Sequence, residues 1–214
     1  MPESPLVLPA HDKYVQAVQA LQQGGIVAYP TETFYGLAVD PANASAVALL
    51  YRLKQREATK AISLLVPDLT VLSSYLASYP EPYKTLIKQF WPGPLTLIFD
   101  PPDNTLQYVS RNNLGLAIRI SSHPVAHEFS RLFGGAITAS SANISGRNPL
   151  CSAEAVREVF GETISYVLDG GKTPGIDGST ILKCKGHECY ILRQGIISQA
   201  AIRNALPNNF YYLQ

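Results

Sequence analysis

The stretch Ile26-Val-Ala-Tyr29-Pro30-Thr31-Glu32-Thr33-Phe34-Tyr35-Gly36-Leu37 decides how this chain is read. Ile26–Tyr29 is a short apolar run, and Pro30 ends it because proline brings no N–H to a ladder; a short buried strand is predicted there. Just upstream, Val15, Val18 and Leu21 recur at helical spacing from about Asp12 to Gln23, and Gly24-Gly25 supplies the stop. Helix, strand and polar loop in succession form the repeating unit of an α/β protein. Ligands of such proteins sit at the carboxyl ends of strands. The loop predicted over Thr31–Pro41 is therefore well placed, and its hydroxyls both donate and accept hydrogen bonds. The same residues also suit a plain Pro/Gly turn.

The alternation continues outward. A helix is predicted over Ser45–Leu53, capped by Asn43 or Ser45. Strands are predicted at Ile62–Val66, Leu95–Phe99, Leu116–Ile120 and Ile137–Ala139, with helices at Val125–Leu132 and at Ala153–Phe160, the latter capped by Ser152. Tyr166–Leu168, Thr180–Leu182 and Tyr190–Leu192 read as strands, and Ser198–Ala205 as a last helix. Interleaved elements imply a layered α/β domain. Short connections in the C-terminal half add antiparallel pairs. The expected fold is a single domain over residues 1–214, its core about 8–206 with short flexible ends, built on a twisted mixed parallel/antiparallel sheet flanked by helices.

Composition narrows the function. The 214 residues carry 17 Lys and Arg against 16 Asp and Glu, a net charge of +1, and only 15% are charged while 46% are hydrophobic. Disorder needs the opposite balance. A strongly basic binder of nucleic acid is also excluded, because counterion release requires many cations in excess. No apolar run reaches the roughly 18 residues of a membrane span, and the N-terminus lacks the pattern of a secretion signal. Cys151, Cys184 and Cys189 cannot all pair with one another, and nothing points to an oxidising compartment. A cytoplasmic protein is expected.

Three further segments hold candidate chemistry. No Lys or Arg lies between Lys13 and Arg52, yet Arg52, Lys54, Arg56 and Lys60 then follow within nine residues, opposed only by Glu57. Cations past a helix end offset its macrodipole; they also build a pocket for phosphate or carboxylate. Thr138–Gly146 crowds Ser, Thr and Asn at the end of a short strand. Asp169–Thr180 contains Gly171-Lys172-Thr173, but Tyr166 stands where a phosphate-binding loop needs glycine and Pro174 where its helix would open, so that reading is rejected. His123 and His127 lack a nearby carboxylate or Cys and make a poor metal pair, so no metal site is expected. Cys184, His187 and Cys189 read better as hairpin residues than as part of a zinc knuckle with Cys151.

Together these blocks resemble the YrdC-like family. The signature P-T-[DE]-T-x-Y-G-L is met at Pro30–Leu37 and K-x-R at Lys54–Arg56. W-P-G-P-x-T follows at Trp91–Thr96, R-x-x-x-H-P at Arg119–Pro124 and S-A-N-x-S-G at Ser141–Gly146. D-G-G with a later S-T, at Ser179-Thr180, and R-x-G at Arg193–Gly195 close the series, in family order over nearly the whole chain.

The resemblance implies a concave basic cavity and the synthesis of threonylcarbamoyl-AMP and pyrophosphate from L-threonine, bicarbonate or CO2, and ATP, with Mg²⁺ carried by the nucleotide. It implies that Thr31, Tyr35, Arg119 and Ser141 bind threonine, Arg119 taking its carboxylate. Lys54 and Arg56 would be catalytic and, with Lys60, Ser141, Asn143 and Arg193, would bind ATP. The product would serve tRNA modification, with transient contact to threonylcarbamoyl-transfer proteins and weak or no direct RNA binding. The alternative is a divergent sister protein that binds RNA or nucleotide without synthase activity. The chain departs from the pattern at Glu57, Leu65, Ser121 and Pro149, where many members carry Pro, His, Pro and a pocket Ser, and a short form without the extra C-terminal domain is expected.

Overall fold

A computed structural model describes residues 12–76, 78–100, 106–110, 115–186, 188–206 and 211–213. Residues 8–11 of the expected core, residues 1–7 and 207–210 of the expected flexible ends, and the His187 of the considered zinc knuckle lie outside the described residues.

Helix α1 (Asp12–Gln22) leads through Gly24, whose φ is 82°, into β1 (Val27–Pro30). All of β1 is buried because it separates two apolar cores: Ile26 and Ala28 face one, Val27 and Tyr29 the other. The loop expected over Thr31–Pro41 is shorter than the sequence suggested. Residues Tyr35–Ala38 form β2, antiparallel to β1 from Val27↔Ala38 to Pro30↔Tyr35. The reversal is closed by Thr31, whose N–H and Oγ1 both donate to the Phe34 carbonyl, at 3.2 and 2.7 Å.

Helix α2 (Ala44–Leu53) is capped by Asn43, whose Oδ1 accepts from the Ser45 and Ala46 N–H groups. After the two-residue β3 (Leu64–Leu65) come α3 (Leu69–Tyr75) and α4 (Glu81–Phe90), for which the apolar pattern assigned no element. Then follow β4 (Leu95–Phe99), β5 (Leu116–Arg119), α5 (Pro124–Phe133), β6 (Ile137–Thr138) and β7 (Ser140–Ser141). Helix α6 (Ala153–Phe160), capped by Ser152, precedes β8 (Tyr166–Val167), β9 (Thr180–Lys185), β10 (Glu188–Arg193), α7 (Gln199–Ala205) and β11 (Tyr211–Leu213).

The mixed α/β architecture is the expected one, with its strands divided between two sheets. The smaller has the order β7-β2-β1-β8 and the larger β11-β10-β9-β4-β5-β3-β6. Pairs β1/β8, β3/β5, β4/β9 and β10/β11 are parallel and the rest antiparallel. Strand β9 alternates with period two: Thr180, Leu182 and Cys184 point into the core, leaving Ile181 and Lys183 on the other face. In β4, Leu95, Leu97 and Phe99 are likewise in the core.

The cysteines sit in the expected hairpin, with a disulfide that the sequence did not assign. Cys184 and Cys189 are opposite residues of the β9–β10 hairpin and are joined in a disulfide, while Cys151 is free. An odd count forbids pairing all three but not two, and hairpin register brings these two within 4.2 Å Cα to Cα. No described helix is long and apolar enough to cross a membrane.

Candidate functional site

A cleft of 720 Å³ is walled by residues of both sheets. From the smaller sheet come Tyr29, Tyr35, Gly36 and Ser141; from the larger, Thr96, Ile98, Ala117, Arg119, Ile181 and Lys183. The β1–β2 turn adds Thr31, Thr33 and Phe34, the segment after α2 adds Arg56, and β10 adds Arg193. A side pocket of 220 Å³, lined by Lys54, Arg56, Lys60, Ser141 and Asn143, shares Arg56 and Ser141 with the cleft. Strand pairing produces this convergence. Arg119 ends β5, Ser141 pairs with Gly36 in β2, and Arg193 pairs with Ile181 in β9.

The described charged lining of the cleft is Arg56, Arg119, Lys183 and Arg193 against Asp177. The Arg193 guanidinium has its pKa lowered by burial first and then by Arg119, with Asp177 opposing and Arg56 adding to the effect. Those guanidiniums therefore feel one another across the cavity, and an anion entering it relieves mutual repulsion. Arg193 is anchored by Ser179, whose carbonyl accepts from Nε and Nη2 at 3.2 and 2.7 Å, and whose Oγ lies 3.0 Å from Nη2. Ser179 Oγ in turn lies 2.8 Å from Thr96 Oγ1, linking β4 to β9. Arg56 donates from Nη2 to the Ala61 carbonyl at 2.7 Å, and its buried Nε is without a hydrogen-bond partner.

Lys54 sits differently from an open cation. It caps the C-terminus of α2, is 2% exposed, and donates from Nζ to Ser141 O, to Asn143 O at 2.8 Å and to Asn143 Oδ1 at 3.3 Å. All three ammonium protons thereby hold the Ser141–Asn143 segment. Burial, and secondarily the neighbouring Arg56 guanidinium, push its pKa down to about 7. Lys60 is exposed at the edge of the side pocket and pairs with Glu57 at 3.1 Å.

Among the expected threonine-binding groups, Thr31 uses its hydroxyl within the turn, and Tyr35 donates to the Gly171 carbonyl at 2.9 Å. Both line the cleft; burial raises the Tyr35 pKa and keeps the phenol a donor. Ser141 Oγ donates to Asn143 Oδ1 at 2.6 Å, and the Asn143 amide donates to Ile144 O and Arg147 O. Arg119 is 5% exposed and is paired with Glu32 at 2.6 Å. Thr33, one of the loop hydroxyls expected at the site, lines the cleft, whereas Glu32, Thr96, Ser179 and Lys183 carry no role in the motif reading. Glu32, Thr96 and Ser179 stand inside the quoted motifs, whereas Lys183 shows only as the outward residue of an alternating strand. His123 is the N-cap of α5, its Nδ1 accepting from Val125 N at 3.2 Å, as a neutral imidazole does; burial lowers its pKa.

A two-sheet α/β protein whose strand ends bring arginines and hydroxyls to one nucleotide-sized cleft is built for handling anionic small molecules. Residues 19–195 match the model of the Sua5/yciO/yrdC family, described as "Telomere recombination", and the chain belongs to that family. It is 37% identical over 177 residues to the threonylcarbamoyl-AMP synthase of Halorhodospira halophila, spanning 83% of this chain and 92% of that protein. The Bacillus subtilis threonylcarbamoyl-AMP synthase is 37% identical over 189 residues, which are 87% of this chain and 54% of that one. Among solved structures, P. abyssi Sua5 complexed with L-threonine superposes with a TM-score of 0.88 at 28% identity, over 96% of this chain and 60% of that one. E. coli YciO has the same fold, with a TM-score of 0.79 at 20% identity over 88% of this chain and 92% of that one.

Proposed function

We propose that this chain is a threonylcarbamoyl-AMP synthase acting in the cytoplasm. The observation that carries the reading is the convergence of Arg56, Arg119 and Arg193, from three separate segments, on one cleft that also holds Ser141. The relatives named above point the same way.

The reaction joins the threonine amine to bicarbonate or CO2, with loss of water in the bicarbonate case. A carbamate oxygen then attacks the α-phosphorus of ATP. The new O–P bond forms as the bond to the β-phosphate breaks, and pyrophosphate leaves. Such a step asks the protein for alignment and charge neutralisation rather than for a covalent nucleophile. Arg119 takes the amino-acid carboxylate with its free guanidinium edge. Thr31 and Tyr35 shape the amino-acid end of the cleft through the turn and the Gly171 contact. Arg56 and Lys60 face the phosphates and the leaving pyrophosphate. Lys54 holds the Ser141–Asn143 segment against the nucleotide, and Arg193 completes the nucleotide site. Mg²⁺ enters with ATP as part of the substrate.

The product is an activated carbamate on AMP, so its consumer is a transfer reaction onto a nucleophile; the expected acceptor is a tRNA adenosine, reached through transiently bound transfer proteins. Pyrophosphate release by the purified protein tests the reading. Release is expected only when ATP, L-threonine and bicarbonate are present together. Equal release with serine, or without an amino acid, overturns it.

A further inference from the structure

Ser121 is buried and Glu32 partly buried, and the reaction scheme leaves both without a task. We infer that Ser121 is a positioning residue which, through Glu32, keeps one edge of the Arg119 guanidinium open for the carboxylate of the amino-acid substrate. The inference rests on the synthase reading.

Glu32 lies in the β1–β2 turn, and its Oε1 accepts from Arg119 Nη1 at 2.6 Å. The two side chains are 14% and 7% exposed, so this is a largely desolvated pair. The second carboxylate oxygen, Oε2, accepts from Ser121 Oγ. Ser121 is itself 1% exposed, and its oxygen accepts the His123 N–H at 3.2 Å. A hydroxyl has a single proton. With the His123 N–H occupying a lone pair, that proton is directed at Glu32.

A carboxylate and a guanidinium prefer two parallel hydrogen bonds. Here Glu32 makes one to Arg119, because its other oxygen is held by Ser121. Arg119 itself lines the cleft. Without the Ser121 hydroxyl, Glu32 is free to turn and take the second edge of Arg119. It would then compete within the molecule with an incoming carboxylate. Nucleotide binding, which does not use that edge, would be spared.

Steady-state kinetics of threonine-dependent pyrophosphate release separates the cases. Ser121→Ala is expected to raise the KM for threonine about tenfold, the scale of one hydrogen bond to a charged group, with kcat at saturating threonine and the KM for ATP changed less than about twofold. Ser121→Thr, which keeps the hydroxyl, restores the threonine KM. In a Glu32→Gln background the Ser121→Ala change loses its effect, since the competing carboxylate is gone. If Ser121→Ala does not fold, Ser121→Cys, of similar size and with a weak donor, is expected to show the same split. An unchanged threonine KM, a parallel rise of both KM values, or a Ser121→Thr variant as impaired as Ser121→Ala at an unchanged Tm overturns the inference. Unaltered protein that releases no threonine-dependent pyrophosphate overturns the synthase reading instead.

Discussion

Lys54 is the residue at which burial and charge oppose each other most directly. Its ammonium is satisfied by three oxygens but sits out of water beside Arg56, so its pKa falls to about 7 in the folded chain, against about 10.5 when unfolded. Between those values the unfolded chain binds one more proton than the folded one, and unfolding free energy therefore rises with pH in that window. The expected outcome is that the stability difference between wild type and Lys54→Met shifts in favour of the wild type from pH 7 to pH 10. Urea unfolding at several pH values checks it. Lys54→Ala also strands three acceptors, with an expected stability loss of about 1–3 kcal/mol. Arg56 is the cleaner functional probe, because it gives one hydrogen bond to a backbone carbonyl and leaves a buried N–H unpaired. Arg56→Ala is expected to lower kcat/KM about 100-fold or more with Tm within a few degrees of the wild type, read by pyrophosphate release and thermal melting.

Elements decide where these residues meet. The β9–β10 hairpin carries both Ser179, at its entrance, and Arg193, at its exit, and the chain crosses itself closely just beyond. A Cβ on Gly195 would clash first with the Gly178 carbonyl oxygen, and would lie 2.6 Å from the Ser179 carbonyl carbon and 2.8 Å from its oxygen. Gly195→Ala therefore forces the Gly178–Ser179 backbone and the Gly195 segment apart, which disturbs the Ser179 anchor of Arg193. Calorimetry with ATP is expected to show weaker binding by about tenfold or more, together with a stability loss of about 1–3 kcal/mol typical of overpacking. ATP affinity equal to the wild type would show that Ser179 does not set the position of Arg193. Helices α3 and α4 illustrate what local patterns conceal. Tyr83, Leu86, Ile87 and Phe90 repeat at helical spacing, but Pro80 and Pro82 beside them resemble a breaker. Both prolines stand at the helix N-terminus, where a missing N–H costs nothing. Strand β2 was concealed for the opposite reason: its four residues follow a turn so tight that the whole segment reads as a loop.

At the scale of the molecule, a net charge of +1 and a cleft lined by Arg56, Arg119 and Arg193 are compatible because the arginines are gathered by folding. A protein that meets phosphates in one pocket releases few counterions. Raising salt from about 50 to 200 mM is expected to weaken ATP binding less than about tenfold, against losses of about 10³-fold or more for a protein that tracks a nucleic-acid backbone. A steep salt slope with tRNA together with no measurable ATP binding would favour the RNA-binding alternative.

Much of this was present in the linear chain. Apolar runs and caps determined most strands and helices, since Asn43, Ser152 and the Ile26–Tyr29 run act through neighbours a few residues away. Motif order determined the family and the candidate arginines. Tertiary structure alone decided that the strands form two sheets, that Cys184 meets Cys189, that Lys54 is turned inward onto the Ser141–Asn143 carbonyls, and that Glu32 stands between Ser121 and Arg119. Each of those depends on strand register and on burial. These are set largely by contacts far apart in sequence, as between Lys54 and Asn143, 89 residues apart, or between Val27 and Tyr166 in the β1–β8 pair, where no local pattern carries the signal.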